Sequence, residues 1–77
     1  MKKNSKNIFK YHKAIEKKFS DYEEIVYSKS KNTLYFTIDN YTIESNKVLI
    51  DFAIKNKVQI NMLKNVENKF YFEMRAI

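Results

Sequence analysis

Cysteine, glycine and proline are absent from these 77 residues, and histidine and arginine occur once each. Without cysteine there is no disulfide, no thiolate nucleophile and no cysteine-based zinc site. Without glycine there is no glycine-rich loop to cradle a phosphate. Tight turns must then rely on Asn and Asp, which tolerate positive φ. A lone His12 leaves general acid–base and nucleophile–base pairs without candidates. A lone Arg75 leaves little of the bidentate fork that reads guanine. No stretch of 18 apolar residues occurs, so no transmembrane helix is expected. The opening MKKNSKNIFKYHK has lysines but no apolar core of a secretory signal. The expectation is a cytoplasmic protein of one small domain spanning residues 1–77, with no cofactor and no metal.

What is present is lysine, asparagine, isoleucine, phenylalanine and tyrosine, together 44 of the 77 residues. Their codons begin with two A or T bases, which points to an AT-rich genome such as those of low-GC bacteria, their phages and mobile elements. Codon supply accounts for the number of lysines but not for their placement. Residues 1–20 hold seven lysines against Glu16, a net of +6. Residues 21–77 hold seven lysines and Arg75 against eight acids, a net of zero. An anionic partner is expected for the first quarter of the chain.

Asn4 or Ser5 is a candidate cap for a first helix starting near Lys6. Ile8, Tyr11, His12, Ile15, Phe19 and Tyr22 recur at helical spacing and form an apolar stripe. Lys6, Lys10, Lys13 and Lys17 fall within about 30° of the opposite direction. An ordinary solvated face mixes Lys with Glu at i, i+4, because like charges repel; here only Glu16 flanks the row. The acids Asp21, Glu23 and Glu24 that follow read as turn residues that balance nearby lysines.

Glu24–Ser28 reads as a strand and Lys29–Asn32 as its loop, facing Tyr27 to Leu34 and Ile25 to Phe36. Thr33–Glu44 reads as a hairpin turning at Asp39-Asn40, which pairs Ile38 with Tyr41 and Phe36 with Ile43 on one face. Ser45 or Asn46 then caps a second helix, Lys47 to about Asn56, with Asn56 as the left-handed stop. Val48, Leu49, Ile50, Phe52, Ala53 and Ile54 cover well over half of it, so it needs cover on two sides. That cover is expected mainly from within the chain; a homodimer through this helix is the alternative. Lys57–Ile77 reads as a second hairpin with a three-residue loop, Asn65-Val66-Glu67, pairing Ile60 with Phe72. The expected fold is α+β: helix, three-stranded antiparallel meander, helix and C-terminal β-hairpin, both helices on one face of the sheet.

The lysine row has the chemistry of phosphate contact, salt-dependent and indifferent to base sequence. Lys29 and Lys31 extend the candidate anion surface. Tyr35 and Tyr71 fall on the outer face of the sheet, where bases stack. The helix, three strands, helix order resembles that of double-stranded RNA-binding domains, which meet A-form RNA mostly by shape. Their lysine cluster at the second helix is reduced here to Lys47. In size, build and AT-rich composition the chain resembles phage and mobile-element accessory proteins of the anti-CRISPR type. That resemblance implies a non-enzymatic inhibitor of a host defence complex. Many such inhibitors are acidic DNA mimics, whereas this chain carries an excess of positive charge. The partner expected is therefore RNA or a nucleoprotein, met through the first helix. The alternatives are a general DNA- or RNA-binding accessory protein and an adaptor to a host protein complex.

Overall fold

The computed structural model describes residues 7–19 and 22–77. A 3-10 turn, Ile8–Tyr11, runs into α1 (His12–Lys18). Then come β1 (Tyr22–Ser28), β2 (Thr33–Asp39), α2 (Ile43–Asn56), β3 (Val58–Val66) and β4 (Lys69–Ala76). The fold is α+β. The four strands make one antiparallel sheet in the order β1-β2-β4-β3.

The period-2 pattern of β2 sets up the core. Leu34, Phe36 and Ile38 point to one side and are buried there with Phe72 and Met74 of β4 and Val58 of β3. Ile8, Tyr11, Ile15 and Phe19 join the same core from the first helical segment, as do Leu49 and Phe52 from α2. Both helices therefore cover one face of the sheet, as the amphipathic spacing implies. They meet where the Tyr11 ring stands edge-on to Phe52, with centroids 5.5 Å apart. Each such aliphatic or aromatic side chain contributes about 1.5–3 kcal/mol on burial, against the conformational entropy of ordering the chain.

The first helix is shorter than its apolar stripe. Asn7 caps the 3-10 turn, its Oδ1 accepting from the Phe9 N–H at 3.0 Å. The candidate caps Asn4 and Ser5 lie outside the described residues. α1 stops at Lys18 because Phe19 turns to extended backbone (φ −126°, ψ 103°) to enter the core. Tyr22 belongs to β1 instead.

The expected hairpin over Thr33–Glu44 does not form. Thr42 is extended and its Oγ1 accepts from the Ser45 N–H at 3.1 Å, which caps α2 four residues earlier than expected. Glu44 in the first turn suits the positive helix end. The place beside β2 goes to β4: Leu34 faces Met74, Phe36 faces Phe72 and Ile38 faces Phe70. Those partners offer more apolar area than Tyr41 and Ile43 would. The Phe36 and Phe72 rings stack with centroids 5.5 Å apart. Tyr41 still reaches the sheet from the loop, 5.0 Å from the Phe70 ring. Ile43 is left 77% exposed.

The β1–β2 register is as expected, with Ile25 opposite Phe36 and Tyr27 opposite Leu34. The β3–β4 register is displaced by two residues, so Ile60 faces Met74 and Met62 faces Phe72. A two-residue turn at Glu67-Asn68, Glu67 at φ 58°, replaces the expected three-residue loop. A bulge between Met62 and Lys64 absorbs the difference. An even displacement leaves Val58 and Ile60 on the core side. α2 continues through Asn56 and is stopped by Lys57 at φ 55°.

The two topologies assign Ile43 opposite roles. Ile43→Lys should leave stability within about 0.5 kcal/mol of the parent, whereas Phe72→Ala should remove about 3–5 kcal/mol. Urea unfolding followed by circular dichroism measures both. A large loss at Ile43 would restore the hairpin.

Candidate nucleic-acid interface

The lysine row sits on a helix whose other side is firmly held. Ile8 and Ile15 are fully buried. The Ile8 N–H donates to Asn32 Oδ1 at 2.9 Å, and the Tyr27 hydroxyl donates to the same oxygen at 2.8 Å. Asn32 adopts φ 49°, a left-handed conformation that Asn accepts more readily than most residues. The turn Lys29–Asn32 is thus bolted to the start of the first helical segment. Rigid placement of this kind lowers the ordering cost of binding at the surface above it.

Lys10, Lys13 and Lys17 are exposed on the segment whose Ile8 and Ile15 are buried. Lys6 lies outside the described residues. No ion pair to an acid within the described residues is made by Lys10, Lys13 or Lys17. Glu16, the one acid on the helix, is 3.5 Å from His12 Nδ1. Lys10 is partly drawn aside, its Nζ 5.3 Å from the centroid of the Tyr11 ring. Lys13 and Lys17, one turn apart, are the cleanest pair for two successive phosphates.

The remaining candidates gather on the other side of the sheet, which no described helix covers. Tyr35 on β2 and Tyr71 on β4 both point there, on neighbouring central strands. Tyr35 sits opposite Glu73, and Tyr71 opposite Thr37, so the tyrosines are diagonal neighbours. Lys31 joins Tyr35, Thr33, Glu73 and Arg75 around a shallow open cavity of about 400 Å³. Glu73 is engaged internally, accepting from Asn61 Nδ2 at 3.2 Å and lying 3.9 Å from Arg75. Lys29 is exposed at the turn between the two sides. The candidates thus divide: Lys10, Lys13 and Lys17 on the helical side, Lys31, Tyr35 and Tyr71 on the sheet side. One short nucleic-acid segment cannot touch both sets.

Sequence reasoning missed three cations. Lys64 lies over the Tyr71 ring with its Nζ 4.8 Å from the centroid. Only the correct β3–β4 register places it there. Arg75 stands beside Tyr35. Lys18 lies 6.0 Å from the Phe52 centroid and lines a cleft with Asp51 and Lys55. Among the described residues no group of three His, Cys, Asp or Glu side chains could hold a metal ion. No described helix is long and apolar enough to cross a membrane. Burial raises the Tyr41 phenol above its ordinary value of 10.0; its O–H donates to Asn46 Oδ1 at 2.6 Å.

Comparison with protein families, with curated proteins and with solved structures finds no match to this chain.

Asn32 carries the placement of the lysine helix. Asn32→Gly keeps the left-handed backbone accessible but removes both hydrogen bonds, leaving a half-buried donor. It should cost about 1–3 kcal/mol and speed amide exchange at Ile8 and Phe9. Unchanged exchange there would show that the apolar contacts alone hold the helix.

Proposed function

We propose that this protein is a non-enzymatic, cytoplasmic binder of RNA, free or within a nucleoprotein, which it meets through the lysine row of its first helix. The supporting observation is the exposed trio Lys10, Lys13 and Lys17 on a helical segment anchored through Ile8, Ile15 and Asn32. A row of ammonium groups left to solvent is repelled by its own kind and gains most when phosphates lie along it. The whole formal excess of +6 falls within the same first 20 residues. The concrete version is a phage or mobile-element inhibitor that engages a host defence ribonucleoprotein; the wider version is a general DNA- or RNA-binding accessory protein.

The second reading places single-stranded nucleic acid on the face of the sheet opposite the described helices. It is favoured by the diagonal placement of Tyr35 and Tyr71 on the two central strands, with Lys31, Lys64 and Arg75 beside them. Stacking on such a platform contributes about 1–3 kcal/mol per base and tolerates any sequence.

Fluorescence anisotropy with single-stranded and duplex RNA and DNA at several salt concentrations tests both readings. Lys13→Glu/Lys17→Glu should retain its circular dichroism spectrum, bind more weakly and flatten the log K against log[salt] slope by roughly 1.4–1.8, two phosphates' worth. Tyr35→Ala/Tyr71→Ala should leave that slope and duplex binding intact; a selective loss of single-strand binding in this variant would favour the sheet face. Failure to bind any nucleic acid at low salt would refute both and leave an acidic protein surface as the partner.

A further inference from the structure

The sheet has two open edges, and they differ. β1 carries Glu24 and opens on an irregularity between Tyr22 and Glu24, devices that discourage edge pairing. Among the described residues β3 has β4 on one side only. From Val58 to Met62 it holds no ionisable residue, although the chain as a whole carries +6. Its regular stretch ends at the bulge after Met62.

Above this edge lies α2, and the side of α2 turned toward it is unfinished. Ile50 is 49% and Ile54 71% exposed. They rim an apolar groove of about 240 Å³ between helix and strand, with Leu49, Ala53, Ile60 and Met62 also lining it. The second cover that α2 requires is therefore not supplied from within the described residues.

The pattern of the edge indicates what supplies it. Val58-Gln59-Ile60-Asn61-Met62 alternates apolar and amide residues and reads the same in both directions. An antiparallel copy centred on Ile60 sets Val58 opposite Met62, Ile60 opposite Ile60 and Gln59 opposite Asn61. Opposed residues share a face, so every apolar pair falls on the helical side and the amide pairs on the other. Asn61 already donates to Glu73 at 3.2 Å, which leaves its Oδ1 to accept from Gln59 of the second copy. Elsewhere two molecules of net +6 repel; this seam has no formal charge between Lys57 and Lys64.

We propose that two copies of this chain associate through β3 about a two-fold axis at Ile60, with Ile50 and Ile54 of each α2 closing over the seam. The assembly is isologous and makes one continuous eight-stranded sheet. It leaves the lysine helix, which lies over β1 and β2, free at both ends.

Sedimentation velocity across concentrations, without nucleic acid, tests this independently of the function proposed above. A concentration-dependent dimer is expected. Ile54→Glu should weaken it by about tenfold or more while leaving unchanged the circular dichroism spectrum and the urea midpoint measured at concentrations where the parent is monomeric. Because the chain has no cysteine, Gln59→Cys/Asn61→Cys reports register alone: it should cross-link as a dimer on oxidation, and Glu24→Cys on the opposite edge should not. A monomer at every concentration up to about 1 mM overturns the proposal. So does a dimer that survives Ile54→Glu and fails to cross-link through residues 59 and 61.

Discussion

The pairing of β2 with β4 holds the rest in place. Three apolar residues from each strand meet there: Leu34, Phe36 and Ile38 against Met74, Phe72 and Phe70. β2 is the most buried strand, and even its outward-facing Thr33 and Thr37 are covered. Each hairpin contributes one strand to this contact, and both helices pack on the surface it makes. The contact joins residues more than 30 apart in sequence, so a long loop must close before it contributes. A small domain that depends on such a contact cannot form its core piecemeal.

Local features were legible in the sequence to the extent that one element decided them. The β1–β2 hairpin could be registered residue by residue, because its loop length and its alternation agree. The buried face of the first helix followed from the spacing of Ile8, Tyr11, Ile15 and Phe19. The error at residues 41–44 arose because Tyr41 and Ile43 alternate like a strand while Thr42 and Ser45 cap like a helix start. Alternation over two apolar residues carries little information. What tipped the balance was the C-terminal strand, whose claim on β2 no local pattern reveals. The β3–β4 register failed for a related reason: a bulge at residue 63 leaves no signature beyond an extra residue.

The candidate site was legible as a charge pattern and not as a surface. Lysines at helical spacing put Lys13 and Lys17 on one exposed face, and the structure keeps them there. Which candidates act together was not readable, since that depends on the sheet's two sides. Lys31 belongs with Tyr35 rather than with the helix it follows in the chain. Lys64 meets Tyr71 only across the corrected register. The molecule therefore offers two chemically distinct surfaces, one of point charges and one of rings with flanking cations, separated by the thickness of the sheet.

Among the described residues Asn32, Asn40, Lys57 and Glu67 adopt positive φ, without a glycine among them. For residues with a Cβ such a conformation costs about 1–2 kcal/mol, less for Asn. Lys57 and Glu67 bear that cost at the junctions leading into and between β3 and β4. Glycine is encoded by triplets that begin with two G bases, the letters this composition avoids. The absence of glycine is thus written into the mechanics of the fold as strain at its corners, and relief lies within one substitution at either site.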